Sequence, residues 1–136
     1  AKPPLAPLTW SPRIAELAQQ WADRCEFRHP TSSSEQATYL IGLGLNFKLG
    51  QNLAMASGEL TATDAVKMWG DEREDFKYGV ETGKVVGHYT AIVWRKTTQL
   101  GCGVKVCREN TPSAFTFYVC SYGPAGNVYP NHLKPY

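Results

Sequence analysis

The chain has 136 residues, of which 43% are hydrophobic, so it is long enough for one domain with a buried core. Its 14 lysines and arginines are nearly balanced by 12 aspartates and glutamates, and no block of like charge stands out, which argues against a nucleic acid partner. No apolar run approaches the ~20 residues that span a membrane, so no transmembrane segment is expected.

The first predicted helix begins after Ser11, which can cap it, with Pro12 in its first turn. Apolar side chains then recur at steps of three and four residues: Ile14, Leu17, Ala18, Trp21, Ala22 and Cys25. The apolar face of this helix is therefore expected to end in a cysteine. Over residues 29–50 the pattern breaks down into Pro, Ser, Thr and Gly, which predicts loop and short irregular helix.

A second helix is predicted over residues 61–78, with Thr61 and Asp64 as a capping pair and Gly79 at its end. Its apolar stripe contains Ala65, Met68, Trp69 and Glu72. The carboxylate of Glu72 should lie at the edge of the apolar face, whereas the other acidic residues of this helix fall on its solvated side. Glu72 is therefore a candidate functional residue.

The last part of the chain predicts a β-hairpin. Residues 88–94 are apolar and β-branched, but they are too few for periodicity to distinguish strand from helix. Residues 101–107 and 115–122 each alternate in the manner of a strand, and the segment between them, with Asn110 and Pro112, supplies the turn.

The four cysteines include no CxxC pair, which favours two disulfides and an oxidising compartment over four buried thiols. Three pairings are formally possible. If Cys107 faces Phe115 across the hairpin turn, Cys102 lies opposite Cys120 at a separation that a disulfide can bridge. Cys107 then remains for Cys25.

Two stretches, GHYTAIVW at positions 87–94 and YVCSYGPAGN at positions 118–127, stand out as long motifs. They resemble the signature sequences of the CAP superfamily, the group of cysteine-rich secretory proteins, antigen-five venom allergens and plant pathogenesis-related proteins. Shorter matches are PLTW at 7–10, WADRC at 21–25, GQNL at 50–53 and WGDE at 69–72. The resemblance implies an α/β fold, a three-layer α-β-α sandwich with a central antiparallel sheet. It also implies that the segment at His88 is a short helix, and it implies the same two disulfides.

Two features depart from the family pattern. The resemblance implies a single CAP domain over residues 1–136 from which the usual first helix, with its early His-Asn pair, is missing. The chain also begins with neither a Met nor the apolar core of a signal peptide, as expected of a processed or trimmed protein. The cysteine-rich, channel-regulating tail of some members is expected to be absent.

The resemblance places four residues in the family's cleft: His29, Gln51, Glu72 and His88. Gln51 replaces a commoner Glu, as it often does in antigen-five-like members, and an amide cannot exchange a proton near neutral pH. The cleft therefore lacks one of two carboxylates for acid/base catalysis. Zinc is a possible cofactor, held by His29 and His88 with Glu72 as third ligand or as acceptor of a ring proton. The alternative is a metal-free cleft in which these side chains only hydrogen-bond to one another.

Binding of sterols or other lipids in apolar grooves is a further implication of the resemblance. The candidate wall lies within residues 38–49, and its apolar side chains are Tyr39, Leu40, Ile41, Leu43, Leu45 and Phe47. A connection this apolar needs either a ligand or burial within the protein, and burial is the favoured interpretation.

The resemblance thus implies a secreted, extracellular, non-catalytic monomer that binds a sterol, a fatty acid or a protein target in defence, venom or host interaction. The alternative is a zinc-dependent hydrolase that uses His29, His88 and Glu72 of the cleft. Thr90, two residues from His88, is a candidate nucleophile, but its hydroxyl is equally well interpreted as a helix-surface group. A third hypothesis is a structural signalling protein whose cleft only stabilises the fold.

Overall fold

A four-stranded sheet forms the middle layer of the structure, a computed structural model that describes residues 3–41 and 45–136. Its strands are β1 (Thr9–Trp10), β2 (Gly50–Ala56), β3 (Gln99–Cys107) and β4 (Phe115–Gly123), in the spatial order β1-β3-β4-β2. β2, β4 and β3 pair antiparallel, as predicted, and the short β1 adds a parallel pairing at the edge of β3.

The helices are α1 (Pro12–Ala22), α2 (Ser33–Tyr39), α3 (Ala62–Gly70) and α4 (Gly87–Ile92), with a 3-10 helix at Asp71–Asp75. On β4, Val119 packs with Trp21 of α1, while the next residue, Cys120, packs with Trp69 of α3. Because successive side chains of a strand point to opposite faces, α1 and α3 cover opposite sides of the sheet. This confirms the predicted α-β-α sandwich.

Helix α1 begins as the sequence indicates, with Pro12 in its first turn and Ser11 Oγ accepting the backbone N–H of Ile14 at 3.2 Å. It ends at Ala22, however, so the prediction that its apolar face runs to Cys25 was wrong. Cys25 lies beyond the helix in a left-handed backbone conformation, with φ of 58°. The helical periodicity continued by chance past the point where the backbone turns.

Both predicted disulfides are present. Cys107 pairs with Phe115 in the β3–β4 ladder, which places Cys102 opposite Cys120, and these two cysteines are bonded with a Cα–Cα distance of 4.1 Å. Cys25 is bonded to Cys107 across 82 residues of sequence. Such a long crosslink stabilises the folded state by about 4 kcal/mol in the chain-entropy account, because it restricts the unfolded chain.

The second helix is shorter than its prediction. Thr61 and Asp64 form the predicted capping box, but the α-helix ends at Gly70 and a 3-10 helix follows. Glycine weakens a helix interior, and the tighter turn that follows carries Glu72 towards α4. Met68 was also misassigned, since it is 50% exposed. The buried stripe of this helix comprises only Ala65 and Trp69.

The segment after α1 is more regular than predicted. Residues Ser33–Tyr39 form a seven-residue α-helix whose capping box joins Ser32 and Glu35. The spacing of this Ser and Glu is the sequence signal for such a box, and it lies within the stretch predicted to be loop and short irregular helix. The segment at His88, by contrast, is the short helix that the family resemblance implied, α4.

Close packing of α1 against β3 depends on the absence of a side chain at Gly101. A Cβ atom there would overlap the backbone of Ile14 and Ala15. We expect Gly101→Ala to lower the free energy of unfolding by about 3 kcal/mol, at the upper end for overpacking, because neither backbone can move away without distorting the sheet. Urea denaturation with the disulfides intact measures this change.

The matched control is Gly58→Ala, since no atom lies within 4 Å of the added Cβ at that position. Its unfolding free energy should stay within about 0.5 kcal/mol of the original protein. Equal stability of the two alanine variants would contradict the packing argument.

Candidate functional site

The four cleft residues come from four different segments and form two hydrogen-bonded pairs. His29, in the loop after α1, and Gln51, on β2, are joined by Nδ1 and Oε1 at 2.8 Å. His88, on α4, and Glu72, in the 3-10 helix, are joined by Nδ1 and Oε2 at 2.7 Å. His29, Gln51 and His88 line a cavity of about 200 Å³. Glu72 is not among the lining residues and contacts the ring of His88 instead.

The two hydrogen bonds fix the same tautomer on both imidazole rings, with the proton on Nδ1. A carbonyl or carboxylate oxygen can only accept a hydrogen bond, so the Nδ1 of each ring is the donor. In a neutral ring the lone pair then belongs to Nε2. His29 and His88 therefore each keep one ring nitrogen with which they can bind a ligand or a metal ion.

Three neighbours hold His88 in place. The carboxylate of Glu72 bonds both the ring of His88 and, through Oε1, the backbone N–H of Tyr89 at 3.0 Å. Trp69 stacks on the His88 ring with centroids 6.3 Å apart and an interplanar angle of 18°. Asn52, which is buried, donates to the backbone oxygen of His88 at 3.2 Å. The imidazole is thus fixed from α3, the 3-10 helix and β2.

Asn127 completes the support of α4, a role that the sequence did not reveal. Its Nδ2 donates to the backbone oxygen of Gly87 at 2.9 Å, and its Oδ1 accepts from Thr90 Oγ1 at 2.7 Å. Thr90 is 1% exposed, so the interpretation of its hydroxyl as a helix-surface group was wrong. Asparagine suits the backbone at this position, because it tolerates the left-handed conformation found there, with φ of 56°. This preference did not by itself indicate a role in the cleft.

A cluster of charges holds the loop that carries His29. The guanidinium groups of Arg24 and Arg28 each lie 2.8 Å from Glu35 Oε2. Both also lie over the ring of Trp21, at 4.5 and 5.2 Å from its centroid, and Trp21 Nε1 donates to the backbone oxygen of Arg28 at 2.9 Å. Because this cluster joins α1 to α2 on either side of His29, it limits the movement of the loop.

Hydrogen bonding strongly favours the ionised form of Glu35. The Arg28 guanidinium, and then the backbone N–H groups of Ser32 and Thr31, hold the pKa of the Glu35 carboxyl well below its ordinary value of 4.5. The ionised carboxylate of Glu35 therefore contributes more to the stability of the folded protein than its protonated form does.

The predicted apolar wall divides into residues with different environments. Leu40 lines a cavity of about 480 Å³ that also contacts His29 and Gln51. Tyr39 packs against the core and meets Trp21 edge to face, with centroids 4.9 Å apart. The other described members are two core-packed residues, Leu45 and Phe47, and one that is 57% exposed, Ile41. Leu43 lies outside the described residues.

The groove beside the histidines consists of adjoining cavities. Asn127 lines three cavities: the one of about 200 Å³ at the histidines, the one at Leu40, and one of about 440 Å³ near Val85 and Tyr129.

Within residues 3–41 and 45–136, no three His, Cys, Asp or Glu side chains are grouped as metal ligands. No helix in the described part of the chain is long and apolar enough to cross a membrane.

An α-β-α sandwich with two disulfides and a histidine cleft is the architecture that the signature stretches implied. The profile of the cysteine-rich secretory protein family, CAP, matches residues 1–122, and the chain belongs to this family.

Two relatives illustrate the similarity. The chain is 36% identical over 132 residues to cysteine-rich secretory protein 2 of Homo sapiens, which covers 95% of this chain and 51% of the relative. It is 40% identical over 123 residues to venom allergen 5 of Vespa velutina, which covers 89% and 58%. The chain therefore spans a little over half the length of these curated relatives.

Solved structures agree with the fold. Venom allergen-like protein 4 of Schistosoma mansoni superposes with a TM-score of 0.73 at 25% identity, covering 98% of this chain and 76% of that one. A crystal structure of NaASP2 with Zn²⁺ gives a TM-score of 0.67 at 29% identity, covering 91% and 63%. The family and the fold class predicted from the sequence are thus confirmed.

The Glu35 cluster makes stability depend on pH. Glu35→Gln should lower the Tm at neutral pH, because it removes the charge that Arg24 and Arg28 contact. The stabilisation by ionised Glu35 is complete above the unfolded carboxyl's pKa of about 4.5 and is lost as the pH falls towards the lower folded value. The difference between the two proteins should therefore shrink in acid. Thermal unfolding followed by circular dichroism at several pH values measures it.

Glu16→Gln is the control, because Glu16 forms only an exposed pair with Arg13 at 3.2 Å. Its Tm should stay close to that of the original protein at every pH. A Glu35→Gln difference that is absent at neutral pH, or unchanged in acid, would show that the cluster does not stabilise the fold through its charge.

Proposed function

We propose that the chain is a secreted, non-catalytic domain that holds a small apolar ligand, such as a sterol or a fatty acid, in the groove beside its histidine cleft. The observation that carries the proposal is the cavity of about 480 Å³ at Leu40. This volume lies in the range of small-molecule sites, roughly 300–1,000 Å³. Its apolar lining includes Leu49, Ala125 and Val128 beside Leu40. Its polar lining consists of His29, Lys48, Gln51 and Asn127.

The hydrogen bonding of the cleft supports a binding role over a catalytic one. Glu72 is the single carboxylate of the tetrad, and both of its oxygens already accept hydrogen bonds from α4. The hydroxyl of Thr90 is buried and bonded to Asn127. A nucleophile, a base and an orienting acid in mutual contact, which a hydrolase of the serine or threonine type requires, do not come together at these residues.

The extracellular part of the proposal rests on the disulfides and the relatives. Two disulfides are typical of proteins from oxidising compartments. The similar proteins are named for secretion or for venom, as in cysteine-rich secretory protein 2 and venom allergen 5. A role in venom, defence or host interaction follows from this likeness, and a protein target is the other class of partner that it supports.

The apolar ligand should depend on Leu40. Apolar contact contributes about 25 cal/mol per Å² of buried surface, so Leu40→Ser should weaken the binding of a fluorescent sterol about tenfold. Two controls should bind it normally: Ile41→Ser, which changes an exposed neighbour outside the cavity lining, and His88→Ala, which changes the polar cleft. Fluorescence titration measures all four proteins.

Unchanged sterol affinity in Leu40→Ser, or an equal loss in Ile41→Ser, would place the ligand elsewhere. A protein that binds neither the sterol nor a fatty acid up to the solubility limit of each ligand would overturn the apolar-ligand proposal and leave the protein target as the better function.

Zinc binding is a second candidate, favoured by the two histidines on one cavity. Each ring presents its Nε2 lone pair because Nδ1 is bonded to Gln51 or Glu72, and such bonds raise the basicity of a ligating histidine. NaASP2 has been solved with Zn²⁺. The donor set therefore fits an ion held by His29 and His88, with Glu72 orienting His88. Bound zinc acts as a Lewis acid towards water or a carbonyl group, which is the chemistry that the alternative, a zinc-dependent hydrolase, requires.

Zinc binding should require both cleft histidines. Calorimetric titration at neutral pH should show modest affinity, since two protein ligands make a weak site, and His29→Ala with His88→Ala should abolish it. Affinity should fall in mildly acidic solution because protons compete for the ring nitrogens. Gln51→Glu should raise it by adding a negative charge beside His29.

His132→Ala is the matched control, because His132 is the remaining histidine of the chain and does not line the cavity at His29 and His88. If the double variant and the original protein bind zinc equally, the cleft is not a metal site and its histidines are structural.

A further inference from the structure

A separate cavity lies on the other side of the segment 125–128. It measures about 450 Å³, and its lining includes Trp94, Arg95, Lys96, Pro124, Lys134 and Pro135. None of the four cleft residues lines it. We propose that this cavity binds a small organic anion with an apolar body, such as an aromatic carboxylate, a function beyond the one proposed for the groove.

Short contacts hold the walls of this cavity in place. The backbone N–H of Arg95 donates to the oxygen of Pro135 at 2.8 Å, and Thr97 Oγ1 donates to the oxygen of Pro124 at 2.7 Å. Trp94 is 9% exposed, and a Cβ on Gly126 would approach its ring to 2.7 Å. The apolar walls are therefore tied together by the protein itself, so a ligand does not have to order them, and preorganisation favours affinity.

The charged side chains that line the cavity are all cationic. Arg95, Lys96 and Lys134 line it, and none of its lining residues in the described part of the chain is Asp or Glu. None of the salt bridges found within residues 3–41 and 45–136 involves these three cations. Arg95 donates one side-chain hydrogen bond, to the backbone oxygen of Pro3 at 2.7 Å, which leaves most of its five N–H donors. This differs from Arg24 and Arg28, whose charges are matched by Glu35.

The combination of walls and charges selects the class of occupant. Apolar walls alone would accept any small hydrophobic molecule, and exposed lysines alone would attract any anion weakly. A ligand whose apolar body fills the space between Trp94 and Pro135, and whose anionic group reaches Lys96 and Lys134, gains affinity from both apolar burial and charge-assisted hydrogen bonds. A carboxylate or sulfonate on an aromatic body meets this requirement.

A pair of probes separates the two contributions. 2-Naphthoate carries the charge, whereas 2-naphthamide has nearly the same body without it. Titration of ¹⁵N-labelled protein followed by NMR should show saturable shifts of the Trp94 indole N–H and of the backbone amides of Arg95 and Lys96. The neutral amide should bind about tenfold more weakly, as expected when charge-assisted contacts are lost.

Two double variants that lower the net charge by the same amount test the position of the site. Lys96→Gln with Lys134→Gln should weaken naphthoate about tenfold and leave naphthamide unchanged, with the rest of the spectrum preserved. Lys77→Gln with Lys105→Gln changes the net charge by the same amount at lysines that do not line the cavity, so it should have little effect.

Several results would overturn the proposal: equal affinity for the two probes, an equal loss in both double variants, shifts confined to His29 and His88, or no shifts with millimolar naphthoate. None of these results bears on sterol binding at Leu40, so the two proposals stand or fall separately.

Discussion

The antiparallel pairing of β3 with β4 is the constraint on which the other layers depend. Its register places Cys102 opposite Cys120, and it ends with Cys107 opposite Phe115. From Cys107 the second disulfide reaches back to Cys25 and ties the turn after α1 to the sheet. Because neighbouring residues of β4 point to opposite faces, the same strand anchors α1 on one side and α3 on the other. A slip of one residue would exchange these faces and separate the cysteines.

The cleft is assembled where the ends of these layers meet. Each histidine is held by a partner from another segment, since Gln51 on β2 bonds His29 and Glu72 from the 3-10 helix bonds His88. Further residues act on the backbone rather than on the rings, as Asn52 and Asn127 do for α4. His88 is thus held by hydrogen bonds and ring stacking, whereas the loop that carries His29 is flanked by the ion pairs of Arg24 and Arg28 with Glu35.

The segment 125–128 separates two surfaces of different chemistry. On one side lies the groove with the imidazoles and Leu40, and on the other lies the cavity with Arg95, Lys96 and Lys134. Ala125 and Val128 line both of them. The lining of the groove includes one lysine, Lys48, beside its apolar residues, whereas the other cavity is lined by three cationic side chains.

The sequence by itself determined the features that arise from local pattern or from long motifs. Alternation and turn residues predicted the hairpin, Ser11 and Pro12 predicted the start of α1, and Thr61 with Asp64 predicted the start of α3, because each of these signals lies within a few residues. The register of that hairpin was enough to pair the cysteines, and the motifs were enough to name the family.

Only the tertiary structure decided the remainder. Periodicity did not reveal that α1 stops at Ala22 or that α3 gives way to a 3-10 helix at Asp71. Just beyond each end lies a residue bonded to a distant segment, since Cys25 is bonded to Cys107 and Glu72 contacts His88. The family resemblance named the four cleft residues, but it did not reveal that they form two hydrogen-bonded pairs. It also did not reveal that Asn127 supports α4, or that Leu40 lines a cavity while Leu45 and Phe47 pack in the core. These features depend on where remote parts of the chain meet. A linear pattern carries the propensity of each residue, whereas the partner of a side chain across the fold is fixed by packing.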